Sequence, residues 1–109
     1  MTETYYSPHD LPRFGEVGER RPELFEAYQE WSGRVFAEGA LPSKTKHLIA
    51  VAVAHALQCA YCIDAHTQSS SGAGASLDEL TEAIHVASVI RGGATLVHGV
   101  QALDALDRD

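Results

Sequence analysis

The chain has 109 residues and a formal net charge of −7, with 45% hydrophobic and 21% charged residues. This length suits a single domain covering residues 1–109, and the composition is that of a soluble globular protein, which excludes disorder along the whole chain. The acidic balance excludes a nucleic-acid partner, because phosphate recognition requires a basic surface, and it does not suit an anionic membrane surface.

No segment of the sequence predicts a membrane span or a targeting signal. The longest apolar stretch, residues 48–57, is interrupted by His55 and is much shorter than the roughly 20 residues that cross a bilayer. The first residues lack the basic start and apolar run of a secretory signal peptide. We therefore expect a cytoplasmic protein without a membrane partner.

The first half of the chain predicts an arm followed by two helices. Residues 1–20 contain several aromatic residues and prolines and predict an irregular N-terminal arm, with one short helical turn from Asp10. A helix should begin near Pro22, because proline suits the first helical position. The next helix should begin near Ser43 and form the buried centre of the fold, since it is apolar nearly all round; a break or bend is expected near Cys59.

The second half predicts three further helical segments. Helical periodicity resumes from Cys62 to about Ser69. A capping box at residues 76–79 then opens another helix. The pair Gly92-Gly93 is interpreted as a tight turn that ends this helix, and a last helix should cover residues 94–106. No segment shows the sustained alternation of a strand, so the sequence predicts an all-α bundle of about five or six helices.

The chemically informative residues are spaced four, three and four apart: His55, Cys59, Cys62 and His66. Positions three or four apart are neighbours on one helix face, so a continuous helix would align all four side chains. A helix N-terminus and an adjacent imidazole both favour the thiolate, lowering the pKa from about 8.5 for free cysteine. Cys62 has His66 one turn away and is the candidate nucleophile, and Cys59 can resolve the oxidised sulfur. Tyr61 is given no catalytic role.

Three functions remain open from these residues. The first is a dithiol oxidoreductase that acts on a small peroxide or disulfide, takes electrons from a thiol donor and needs no cofactor or metal. Two thiolates and two imidazoles are also a complete zinc ligand set, so a helical module that binds zinc or another thiophilic ion is the alternative. The third is a helical oligomerisation scaffold without chemistry. His55 could equally be a core histidine bonded to the backbone.

The run LIAVAVAHALQCAYCIDAHT at residues 48–67 resembles the core motif of alkylhydroperoxidase D-like proteins, a group within the carboxymuconolactone decarboxylase superfamily. The segments EAIHVA at 82–87 and IRGGA at 90–94 are similar as well. The resemblance implies an all-helical fold that assembles as trimers or hexamers. It also implies thiol-dependent peroxidase or disulfide-reductase activity, because the decarboxylase branch lacks the CxxC motif.

By position, the resemblance implies that Cys62 is the peroxidatic cysteine, Cys59 the resolving cysteine and His66 the relay histidine. The family's proton relay normally includes a glutamate twelve residues before the first cysteine, where this chain has His47. His55, one turn before Cys59, could substitute for it. Phrases near both ends of the chain also resemble a subgroup described as peroxidase-like proteins associated with arsenosugar biosynthesis.

The composition further predicts self-association. A chain of this length has little interior, and large side chains such as Tyr5, Tyr6, Phe14 and Trp31 need to be covered. A small helical domain can cover them by packing against copies of itself. We therefore expect a homo-oligomer, and the resemblance implies a trimer or hexamer.

Overall fold

The computed structural model describes residues 5–108, and every regular element in that range is helical. A short 3-10 turn at Leu11–Arg13 leads into α1. The five α-helices are α1 (Phe14–Val17), α2 (Pro22–Phe36), α3 (Ser43–Leu57), α4 (Ala60–Gly72) and α5 (Leu77–Asp107). The predicted all-α fold is confirmed. None of the helices described is both long and apolar enough to cross a membrane.

Helix α3 is the central element because it packs against both α4 and α5. Val51 and Ala54 of α3 and Ala87 of α5 are the buried apolar residues in the described range, and Ser70 of α4 is the buried polar residue. Other apolar residues of α3 are exposed to solvent; Leu57, for example, is 72% exposed. The core of one chain is therefore a thin layer along α3.

Polar contacts hold the outer helices to α3. The Lys46 ammonium donates to the carbonyl oxygens of Val35 and Ala37 at 2.8 and 2.7 Å, where α2 ends. A lysine at this position satisfies carbonyls that have no partner within their own helix and complements the negative end of the helix dipole. On the opposite side, Lys44 forms a 3.0 Å ion pair with Glu79 in the first turn of α5.

The predicted break near Cys59 is present and is sharp. Gln58 adopts a left-handed conformation (φ 57°, ψ 42°) that ends α3, and its N–H donates to the carbonyls of Ala54 and His55. The Arg91 side chain of α5 donates to the carbonyl of Ala56 at the same helix end. Because the helix is interrupted here, the four spaced residues do not form one continuous stripe.

The prediction of a turn at Gly92-Gly93 is wrong, because α5 is continuous from Leu77 to Asp107. Among the described glycines only Gly74 has a positive φ, at 96°. A glycine inside a helix costs about 1 kcal/mol relative to alanine, which good helix formers on both sides can offset. The beginning of α5 is as predicted: Ser76 and Glu79 form the reciprocal hydrogen bonds of a capping box.

The chain is elongated, and the second half of α5 is largely exposed within the described residues. The radius of gyration of the chain is 18.3 Å, against about 13 Å expected for a compact domain of this length. The second half of α5 exposes a series of large apolar side chains: Leu96, Val97, Val100, Leu103 and Leu106. Apolar surface of this extent is typical of subunit contacts in small helical proteins.

We expect the protein to form a homo-oligomer in solution, because one chain cannot cover these side chains alone. Light scattering at micromolar concentration should give three or six times the chain mass of 11.7 kDa. A monomeric mass under these conditions would contradict this expectation.

Candidate active site

The two cysteines lie at the beginning of α4 and are joined as a disulfide. Cys59 is the N-cap of the helix, and its sulfur accepts a hydrogen bond from the backbone N–H of Cys62 at 3.2 Å. An N-cap residue and the third residue of the helix face each other across the first turn, which brings the two Cα atoms within 5.2 Å. Both side chains are half-buried. The sulfurs therefore sit at the positive end of the helix dipole.

A cleft of about 780 Å³ opens onto this dithiol from the side of the N-terminal arm. We call it the arm cleft. Its lining comes from the arm, from α2 and from α4: Asp10, Leu11, Arg13, Phe14, Glu16, Val17, Tyr28, Cys59, Tyr61, Cys62, Ala65 and His66. The cleft brings three of the four predicted site residues to one surface, Cys59, Cys62 and His66.

Tyr61, between the two cysteines, anchors the arm that forms this cleft. Its hydroxyl donates to the carbonyl of Tyr5 at 3.1 Å and lies 3.4 Å from the Asp10 carboxylate. The ring of Tyr6 packs edge-on against it, with centroids 5.5 Å apart. Partial desolvation and the Asp10 carboxylate both raise the pKa of Tyr61. Tyr61 therefore has a structural part in the site that helix spacing alone did not indicate.

His66 belongs to a cluster of three rings beside the two cysteines. The centroid of the Phe36 ring is 4.5 Å from that of the His47 ring and 5.2 Å from that of the His66 ring, and the Phe36 ring is nearly parallel to the first. The two imidazole centroids are 6.0 Å apart. The Nδ1 atoms of both histidines are buried and have no hydrogen-bond partner within the described part of the chain.

This environment favours the neutral form of His66. Partial burial lowers its pKa, and positive charge on His47 lowers it further. Burial disfavours the charged imidazolium because protein surroundings solvate it less well than water, and a second imidazolium nearby would repel it. A neutral His66 with a free ring nitrogen can accept a proton at neutral pH.

A second cleft, of about 570 Å³, also reaches Cys62 and His66. We call it the helix cleft because α2 and α3 form its walls. Its lining is mostly apolar: Val35, Phe36, Lys46, Ile49, Ala50, Val53, Ala54, Leu57, Cys62 and His66. Cys62 and His66 line both clefts, whereas Cys59 lines only the arm cleft.

His55, the fourth predicted site residue, is not brought to the dithiol surface. It lies on α3, lines neither cleft, and its Nδ1 is 2.8 Å from the Val51 carbonyl one turn earlier. His47, eight residues before it on α3, is the histidine that lies beside His66. Between residues 5 and 108 no three His, Cys, Asp or Glu side chains converge as a metal site would require.

Comparison with known proteins gives consistent matches over nearly the whole chain. Residues 22–105 match the carboxymuconolactone decarboxylase family. A Paracoccus denitrificans protein named uncharacterized protein 4 in cox locus is 43% identical over 100 residues, covering 92% of this chain and 90% of its own length. An uncharacterized Haemophilus influenzae protein is 39% identical over 101 residues, covering 92% and 88%.

Solved structures show the same fold. The apo-lpg0406 crystal structure, described as a carboxymuconolactone decarboxylase family protein from Legionella pneumophila, superposes with a TM-score of 0.70 at 34% identity. It covers 86% of this chain and 84% of its own. A Methanobacterium thermoautotrophicum protein has the same TM-score at 33% identity, covering 83% and 97%.

The buried environment of His66 predicts that acid destabilises the fold. The folded-state pKa lies below the ordinary value of 6.5, so the unfolded chain binds more protons in the window between the two values. The free energy of unfolding should therefore fall as the pH falls through 6.5. Urea unfolding should show a larger difference between wild type and His66→Asn at about pH 7.5 than at about pH 5.

His98→Asn is the matched control for this measurement, because His98 lies on the exposed half of α5. A difference between wild type and His66→Asn that does not change with pH would rule out the burial of a neutral imidazole at position 66.

Proposed function

This chain belongs to the carboxymuconolactone decarboxylase family, and we propose that it is a thiol-dependent oxidoreductase of the peroxidase type that uses Cys59 and Cys62. The observation that carries the proposal is a dithiol at a helix N-terminus, open to a cleft that also holds the half-buried histidine His66. No metal or organic cofactor is needed for this chemistry.

Cys62 is the nucleophile in this proposal. It lies four residues before His66 on α4, and the two line the same two clefts. The positive end of α4 stabilises a thiolate in the reduced protein, and a thiolate is the reactive form of cysteine. Cys59 shares the helix end but reaches only the arm cleft, which suits the resolving role.

The reaction balances with a hydroperoxide as the oxidant and an external dithiol as the reductant. The Cys62 thiolate attacks the terminal oxygen, the O–O bond breaks, and the leaving alkoxide takes a proton to become an alcohol. Cys62 is then a sulfenic acid. Cys59 attacks this sulfur, the S–S bond forms and water leaves. A dithiol donor supplies two electrons and two protons that restore both thiols.

His66 is the proton carrier in this scheme. Because its pKa is lowered, its neutral form is favoured, and this form can take the proton of the Cys62 thiol. The same proton is then available to the leaving alkoxide. His47 stands where the family resemblance implies a glutamate. A protonated imidazole there repels a proton on His66, whereas a carboxylate would attract it.

The two cysteines should differ in their reaction with hydroperoxide. Reduced Cys59→Ser should accumulate sulfenic acid at Cys62, because the resolving thiol is missing, and a sulfenate-trapping reagent followed by mass spectrometry should detect it there. Cys62→Ser should react at the level of the double Cys→Ser variant. Equal trapping at the two positions in the single variants would contradict the assigned order.

The two histidines should also differ in their effect on Cys62. At neutral pH, His66→Ala should slow alkylation of Cys62 in the Cys59→Ser background by about ten-fold, the change that one pKa unit produces in the thiolate fraction. His55→Ala is the matched control and should leave the rate unchanged, since His55 lines neither cleft. Iodoacetamide rates measured across the neutral pH range test both. Unchanged alkylation in His66→Ala would remove His66 from the proton path.

A further inference from the structure

Two clefts meet at Cys62, and only one of them reaches Cys59. Resting on the proposed function, we propose that the two half-reactions use different clefts. The hydroperoxide reaches Cys62 through the helix cleft, and the dithiol donor reaches Cys59 through the arm cleft.

The chemistry of the disulfide separates the two sulfurs. A reducing thiolate bonds to the sulfur that it attacks and releases the other sulfur as a thiolate. Attack at Cys59 releases Cys62 as the thiolate, at the helix end and in the clefts that it shares with His66. The donor's second thiol then breaks the mixed disulfide at Cys59, leaving an oxidised donor and both thiols of this protein. Since Cys59 lines only the arm cleft, the donor must approach from that side.

The helix cleft carries the groups that the oxidation step needs. Cys62 and His66 line it as they line the arm cleft, and the Phe36 ring that stacks on His66 lines the helix cleft alone. The one charged residue in its lining, Lys46, has its ammonium bonded to two carbonyls at the end of α2. The remaining lining is aliphatic. This surface suits a hydroperoxide with an apolar substituent, and it offers no free charge to a polar donor.

The arm cleft differs in its polar rim. Asp10, Arg13 and Glu16 are part of its lining, and the last two form a 2.8 Å exposed ion pair. A polar carrier of a dithiol meets charged groups there that the helix cleft lacks. With separate routes, the alcohol product can leave through the helix cleft while the dithiol donor binds in the arm cleft.

Replacing one exposed valine at a time by tryptophan tests whether the two half-reactions use different clefts. Val53→Trp narrows the helix cleft, and Val17→Trp narrows the arm cleft. Val86→Trp on α5 is the control, because Val86 lines neither cleft. Cumene hydroperoxide and dithiothreitol are the probes. Each half-reaction is followed separately by quenching with an alkylating reagent and counting free thiols by mass spectrometry.

Val53→Trp should slow oxidation by cumene hydroperoxide by about ten-fold, the effect of roughly 1.4 kcal/mol on the barrier, and leave reduction by dithiothreitol within about two-fold of wild type. Val17→Trp should show the reverse pattern, and Val86→Trp should change neither rate. A variant that slows both half-reactions equally, or an unchanged oxidation rate in Val53→Trp, would overturn the proposed use of different clefts.

A second helix-cleft variant is needed because tryptophan at the exposed position of Val53 could also change the oligomeric state. Ala50→Leu fills the helix cleft from its half-buried wall, and it should slow the same half-reaction as Val53→Trp. An unchanged oxidation rate in Ala50→Leu overturns the proposed route. The proposed function fails in a different way: wild-type protein would then not form its disulfide with cumene hydroperoxide at all.

Discussion

The site depends on the way in which α3 ends and α4 begins. A non-glycine residue, Gln58, takes a left-handed conformation that is uncommon for residues with a Cβ atom. This turn makes Cys59 an N-cap and starts a new helix axis, so that the first turn of α4 holds both sulfurs. Arg91 bonds the last turn of α3 from across the bundle. Had α3 continued through Cys59, the sulfurs would lie in a helix interior, where backbone N–H groups are already bonded and unable to stabilise a thiolate.

Much of the fold could be predicted because its signals are local. Pro22 at a helix start and the Ser76 capping box each depend on a few neighbouring residues, and both helices begin there. The turn predicted at the glycine pair does not form, because glycine can also occupy a helix interior and its identity alone does not determine the backbone angles. The elongated shape was not readable either, since it depends on which apolar faces find partners within one chain.

The dithiol and His66 could be predicted from spacing, whereas the histidine beside His66 could not. Helix α3 is apolar nearly all round, so its sequence carries no signal for the face that meets α4. Helix α3 carries both His47 and His55, and the sequence predicts His55 as the site residue because it is closer to Cys59 along the chain. The three-dimensional packing instead brings His47 to His66 through Phe36 of α2, a contact between three separate helices. The family resemblance marks position 47 as unusual, because it implies a glutamate where this chain has His47. Helical periodicity alone gives no such indication.

The attachment of α2 has a consequence for how long an oxidised intermediate survives. This helix contributes Tyr28 to the arm cleft and Val35 and Phe36 to the helix cleft, so it forms part of the wall of both clefts. It has few contacts with α3, and Lys46 holds its end through charge–dipole bonds that salt weakens. Elements with little buried apolar contact open first in native-state fluctuations. In the proposed reaction, an opening of α2 would admit solvent to Cys62, and higher ionic strength would therefore shorten the lifetime of a sulfenate at this cysteine.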